Sequence, residues 1–173
     1  KMKNNHIKGL IVCGRNLGAK DEVDFAKEFH LPFYKSFEKF LADNCLTSCL
    51  YIESILMDTF SNSFYNLYLE VADPYSRRII AKIIQENLEY INPGQEWLKD
   101  NLDNCKKELI TVNKSNFPII FSKTEEISED LALLGIEKQD LLQEFISIYQ
   151  ELLVEMGFTT RDVARITAAF HLD

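Results

Sequence analysis

Apolar residues recur at intervals of three and four along almost the whole chain, and only 6 Gly and 4 Pro interrupt its 173 residues. That spacing gathers side chains on one face of an α-helix and would scatter them over both faces of a strand, so the chain reads as all-helical with short connections. No stretch shows the alternation of a half-buried strand. The pattern predicts a helix from Asp21 to about Ala42, with Pro32, shortly after His30, expected to kink or interrupt it because proline lacks an N–H and crowds the preceding turn. A long helix from about Leu46 to Val71 follows. Asp73-Pro74 reads as a stop and restart, with Asp73 as cap and Pro74 at the first helical position. Ile79, Ile80, Ile83 and Ile84 carry that helix onward, expected to reach Asn92-Pro93-Gly94 and distort there. Asp103 to Val112, the stretch from Phe117 to Leu134, and Lys138 to Met156 are expected as further helices, and Thr159-Thr160-Arg161-Asp162 as the N-cap of a last short one.

Long helices with short joins imply a bundle whose core is lined from facing helices. A chain of this length can bury one sizeable core, so residues 1–173 are taken as a single domain. No apolar run approaches the roughly 20 residues of a membrane span. No export signal follows Lys1-Met2-Lys3-Asn4-Asn5, and the chain is read as cytoplasmic. A net charge of −8 without a basic stripe argues against a nucleic-acid partner. The four cysteines, Cys13, Cys45, Cys49 and Cys105, are read as small buried hydrophobes rather than as a disulfide or zinc set. Physics and pattern alone therefore support a helical bundle and leave function open.

Several stretches carry more: Cys13-Gly14-Arg15-Asn16-Leu17, Phe25-Ala26-Lys27, Tyr65-Asn66-Leu67-Tyr68 with Val71-Ala72-Asp73, and Gly94-Gln95-Glu96-Trp97-Leu98-Lys99. Leu133-Leu134-Gly135-Ile136-Glu137-Lys138 and Gly157-Phe158-Thr159-Thr160-Arg161-Asp162 continue the register. In order and spacing, from Met2 to about Ala169, the chain resembles the cyanobacterial aldehyde-deformylating oxygenases, also called fatty aldehyde decarbonylases. The resemblance implies an all-α, ferritin-like helical bundle with additional C-terminal helices. It also implies that the first bundle helix is absent from the given chain, so that the domain is N-terminally truncated relative to the family. Members bind two irons between four helices and convert a long-chain fatty aldehyde to an alkane or alkene plus formate, using oxygen and an external electron donor.

The resemblance further implies a metal site, and here the chain departs from the pattern. Two irons bring several positive charges into a poorly solvated interior and need a carboxylate-rich cage, in which a Glu-x-x-His pair places two ligands on one helix face. The family's first such pair falls on Lys3 and His6, its single glutamate of the next helix on Asp58, and its last pair on Asn87 and Tyr90. His6 and Asp58 are surviving ligand positions; Lys3, Asn87 and Tyr90 are substituted ones. The expected cofactor is therefore none, in a family that uses two irons. One reading refills the site as a polar core, Lys3 facing Asp58 with Asn87, Tyr90 and His6 supplying hydrogen bonds. Another makes Glu53 and Glu86 supporting groups around the ligand face, or builds a single-metal site from His6, Asp58 and one of them. Glu89, three residues from Glu86, is read as solvated surface.

Phe60, Phe64, Tyr65 and Tyr68 follow Asp58 on the same helix and correspond to the border of the family's aldehyde channel. The plain alternative is that this aromatic stripe is core. Ser61, Asn62 and Ser63 stand where the family has small apolar residues, and an inward Asn62 or Ser63 would make the channel polar. No catalytic residue is assigned. Two functions follow: a working aldehyde oxygenase, which predicts iron and alkane, or a metal-free module that binds a long-chain fatty aldehyde or acyl lipid.

Overall fold

The computed structural model describes residues 2–18 and 22–168, with side chains described for 4–18 and 29–168. Among the described residues ten α-helices run in chain order: α1 Met2–Asn16, α2 Glu22–Ala42, α3 Leu46–Tyr51, α4 Asp58–Val71, α5 Pro74–Glu89, α6 Pro93–Asp100, α7 Leu102–Glu126, α8 Ser128–Leu133, α9 Lys138–Glu155 and α10 Thr160–Thr167. A π-helical stretch, Ile52–Met57, joins α3 to α4 without a break, so the long helix expected from Leu46 to Val71 is continuous. This rod is the spine of the molecule. Its first part packs on α2, α6 and α7, and its second on α5 and α9, while α1 lies along α5.

Burial explains why these elements close on one another. Ile55, Leu56, Ile80, Leu98, Leu141, Phe145 and Leu153 are fully enclosed. Phe145 sits at the centre of an aromatic group, with ring centroids 5.9 Å from Phe60, 5.1 Å from Phe117 and 5.6 Å from Tyr149. The phenols of this aromatic group are hydrogen-bonded: the Tyr149 hydroxyl donates to Asn113 Oδ1 at 2.5 Å, Tyr51 shares a hydroxyl–hydroxyl bond with Tyr149, and Asn113 Nδ2 donates to the Ile166 carbonyl at 3.4 Å. Burial pushes both phenols well above their ordinary range, so they serve as neutral hydrogen-bonding groups.

Helix ends follow local chemistry. Asp73 accepts from Tyr75 N at 2.8 Å and Ser76 N at 3.2 Å with Pro74 behind it, as the sequence suggested. Thr159 and Asp162 form a reciprocal capping box on α10. Gly157, at φ 102°, ends α9 in the left-handed conformation, and Phe158 N bonds back to the Leu153 carbonyl at 3.0 Å.

Three boundaries differ from the pattern reading. Pro32 does not interrupt α2, which runs from Glu22 to Ala42. Pro118 likewise lies inside α7, which merges the two expected helices from Asp103 and from Phe117 and breaks instead at Ile127. A proline removes one ladder bond and crowds one turn, a local cost that packing along a long helix can outweigh. Third, α5 stops at Glu89, short of Asn92-Pro93-Gly94, and Tyr90 adopts an extended backbone (φ −89°, ψ 114°).

The capping box also makes a pH prediction. The Lys106 ammonium, 2.5 Å from Asp162 Oδ2, and the Thr159 hydroxyl hold the Asp162 carboxyl down at about 2, from an ordinary 3.8. A depressed folded-state value stabilises the fold fully above the unfolded value, and that contribution disappears as the pH falls through the folded one. Asp162→Asn is therefore expected to be less stable than the parent at neutral pH, with the gap closing between pH 3.8 and about 2. Urea midpoints across that range, at low salt because the pair is partly exposed, measure it. A gap independent of pH would refute the pairing.

Candidate functional site

One pocket of about 300 Å³ lies between α1, α4, α5 and the start of α6, lined by His6, Ile7, Leu10, Asp58, Ser61, Asn62, Tyr65, Asn87, Tyr90, Asn92 and Gln95. Each helix brings its residues by its own periodicity. On α1, His6 and Leu10 are one turn apart; on α4, Asp58, Asn62 and Tyr65 follow at spacings of four and three. The floor comes from the kink between α5 and α6. Asn92 caps α6, accepting from Gly94 N at 2.9 Å, and turns its amide N–H to Asp58 Oδ2 at 2.7 Å. Gln95 Nε2 donates to the Ser54 carbonyl at 2.7 Å, giving a backbone group in the π-helical stretch a side-chain partner. Gly94 permits this approach, since a Cβ there would stand 2.9 Å from Ser54 Cβ and nearer still to its hydroxyl.

Hydrogen bonds subdivide the rest. His6 Nε2 meets Glu86 Oε2 at 2.7 Å across α1 and α5. That bond, with Lys82 3.7 Å away, holds the Glu86 carboxyl below the usual range. Asn87 Nδ2 donates to Asn62 Oδ1 at 2.8 Å, linking α5 to α4.

The positions singled out in the sequence thus meet at one place in part. His6, Asp58, Asn87 and Tyr90 all face the pocket, although Tyr90 does so from the kink rather than from the helix that carries Asn87. The side chain of Lys3 lies outside those described, as does all of His171. Glu86 reaches the site through His6. Glu53 is exposed, hydrogen-bonded by its neighbour Ser54 at 3.2 Å, and is not among the lining residues. Glu89 is exposed and bonded to Gln85, and His30 is exposed beside Phe29. The four cysteines are free thiols, three of them buried.

The aromatic stripe divides. Phe60 and Tyr68 are core residues, and Phe64 packs against that core, stacked on Tyr68 with centroids 5.6 Å apart. Only Tyr65 of the four lines the pocket. Ser63 is enclosed and bonds its own helix at the Thr59 carbonyl, whereas Ser61 and Asn62 both line the pocket and add to its polarity. Asn92 and Gln95 were invisible as site residues in the sequence, where they read as a helix break and part of a shared motif. The register of that motif was the available signal.

The donor set can be weighed against two irons. The described lining offers one imidazole, already bonded to Glu86, and one carboxylate, held by Asn92, among neutral amides and hydroxyls. Among the described residues, no three or more His, Cys, Asp or Glu side chains are grouped so as to hold a metal ion. Those residues do not fit a two-iron cage, which needs several carboxylates to offset the charge it buries.

An all-α, ferritin-like bundle with a polar pocket enclosed by its helices defines the class of protein. The chain belongs to the long-chain fatty aldehyde decarbonylase family, whose model matches residues 1–171. A solved structure described as protein 19 with aldehyde deformylating oxidase activity, from Synechococcus, is similar with a TM-score of 0.92 and 25% sequence identity. The match covers 98% of this chain and 78% of that one. No helix among the described residues is long and apolar enough to cross a membrane.

Proposed function

We propose that this chain is a diverged member of the aldehyde decarbonylase family that has lost the two-iron site and retains the pocket for binding a long-chain aldehyde or related acyl lipid. The family reaction, aldehyde to alkane or alkene plus formate, depends on a redox metal, and no amino-acid side chain replaces one in oxygen activation. One observation carries the reading. The residues that the resemblance maps onto ligand positions converge on one pocket as His6, Asp58, Asn87 and Tyr90, with amide hydrogen bonds where carboxylates would be needed. Fold membership and site chemistry then point apart, and the chemistry of the site is the better guide to activity.

Iron per chain after anaerobic ferrous loading, measured beside an active family member, tests this. Iron at background, with no alkane from a long-chain aldehyde, is the expected result. About two irons per chain, the number held by the family's site, would overturn it and restore a working di-iron oxygenase supplied by an external electron donor. The same preparation, titrated with an aldehyde, tests the binding half separately.

A further inference from the structure

The Asn62–Asn87 pair points to the kind of head group the pocket takes. A carboxamide has a two-hydrogen donor and a carbonyl acceptor with two lone pairs, and the single bond at 2.8 Å between the two side chains uses one hydrogen of Asn87 and one lone pair of the Asn62 carbonyl. The Asn87 carbonyl and the Asn62 NH2 remain for a ligand. Turning both amides over exchanges the two residues' roles and leaves the same remainder, one acceptor and one donor, so the conclusion does not depend on amide orientation. Both side chains are half-buried in the pocket wall, where a ligand that displaces water from them must replace the hydrogen bonds that water made.

Around the pair, the remaining wall is uncharged at Ser61, Asn92 and Gln95 and anionic at Asp58, with Glu86 behind His6. A carboxylate head only accepts and would leave the amide carbonyl facing an acceptor. An acceptor-only head would satisfy the NH2 and leave the carbonyl bare. A head that both donates and accepts answers the two groups together.

Resting on the proposal that the pocket binds aldehydes or related acyl compounds, we propose that among such compounds it prefers a neutral head group carrying both a donor and an acceptor, a primary amide or a primary alcohol, over an acceptor-only aldehyde or ketone. Asn62 and Asn87 are its specificity residues. At about 300 Å³ the pocket lies at the small end of ligand sites, so medium-chain compounds are suitable probes.

The sharpest contrast is between a medium-chain primary alkanamide and the methyl ketone of the same length, which is nearly isosteric but only accepts. Calorimetric titration of the full chain is expected to show the amide binding about tenfold tighter than the ketone, the worth of one hydrogen bond. The matching alkanoate, which also only accepts, is expected to bind more weakly than the amide. Of Asn87→Leu and Asn62→Leu, the one that removes the free carbonyl should abolish the amide's advantage and leave ketone binding within a few-fold, and the other should weaken both. Circular dichroism and the urea midpoint establish that each variant is folded. Equal affinity for amide and ketone, or preference for the alkanoate, would overturn the inference while leaving acyl binding intact. An amide advantage undiminished in both folded variants would overturn it as well. If no compound of the series binds, nor the aldehyde, the binding proposal itself fails and the inference with it.

Discussion

Truncating Phe145 to alanine is expected to cost about 3–5 kcal/mol, the range for removing an enclosed aromatic ring from a core that cannot collapse around the gap. Phe145 is 0% exposed and touches three other rings, those of Phe60 on α4, Phe117 on α7 and Tyr149 on its own helix. Its removal therefore loosens the junction of three helices at once, and the loss is a large share of the roughly 5–15 kcal/mol that holds a domain together. The urea midpoint, followed by far-UV circular dichroism, measures it, with Leu133→Ala as the comparison. Leu133 is 85% exposed, and its truncation should change stability by no more than about 0.5 kcal/mol. A Phe145→Ala cost close to that of Leu133→Ala would show that the aromatic group is not the centre of the core.

The second large effect is expected at Gly94. An alanine Cβ there meets Ser54 Cβ at 2.9 Å and its hydroxyl more closely, and Ser54 is buried on the π-helical stretch with little room to retreat. Overpacking of this kind costs about 1–3 kcal/mol. The displacement should also reach the pocket, because α6 carries Gln95, whose amide holds the Ser54 carbonyl, and its cap Asn92 holds Asp58. Ser54→Ala removes only the hydroxyl and should relieve Gly94→Ala in part. Ser54→Gly, which also removes the Cβ, should relieve it further despite its own cost in helix propensity. In a double-mutant cycle the combined loss is then smaller than the sum of the separate losses. Strict additivity would mean that the two residues do not press on each other.

These two sites mark different degrees of legibility. Phe145 lies in the helix expected from Lys138 to Met156, which apolar spacing alone made legible and which runs from Lys138 to Glu155. Gly94 appeared only as part of a break signal, Asn92-Pro93-Gly94. The break was real, but its purpose, bringing α6 against Ser54, depends on a neighbour forty residues earlier in the chain. The same holds for Pro32 and Pro118. Proline raises the local cost of a helix, and whether the helix continues depends on packing that a local window does not contain.

The site shows the division again. Collinear motifs placed His6, Asp58, Asn87 and Tyr90 at corresponding positions, and the structure brings all four to one pocket. Spacing could not tell that Tyr90 reaches it from a non-helical kink, that Glu53 turns to solvent, or that Phe60 and Tyr68 fill the core rather than line the pocket. Each of those outcomes is a rotation about a helix axis or a shift of a helix end by a few residues, and helical periodicity is tolerant of both.

By itself, then, the amino-acid order determined the helical class and the caps at Asp73 and Thr159. These are local or compositional properties, set by the spacing of apolar groups and by which side chains carry charge. Tertiary structure alone decided which polar groups meet: His6 with Glu86, Asn62 with Asn87, and Asp58 with Asn92. Hydrogen bonds act over about 3 Å, and only the packing of α1, α4, α5 and α6 brings partners separated by 80, 25 and 34 residues to within that distance.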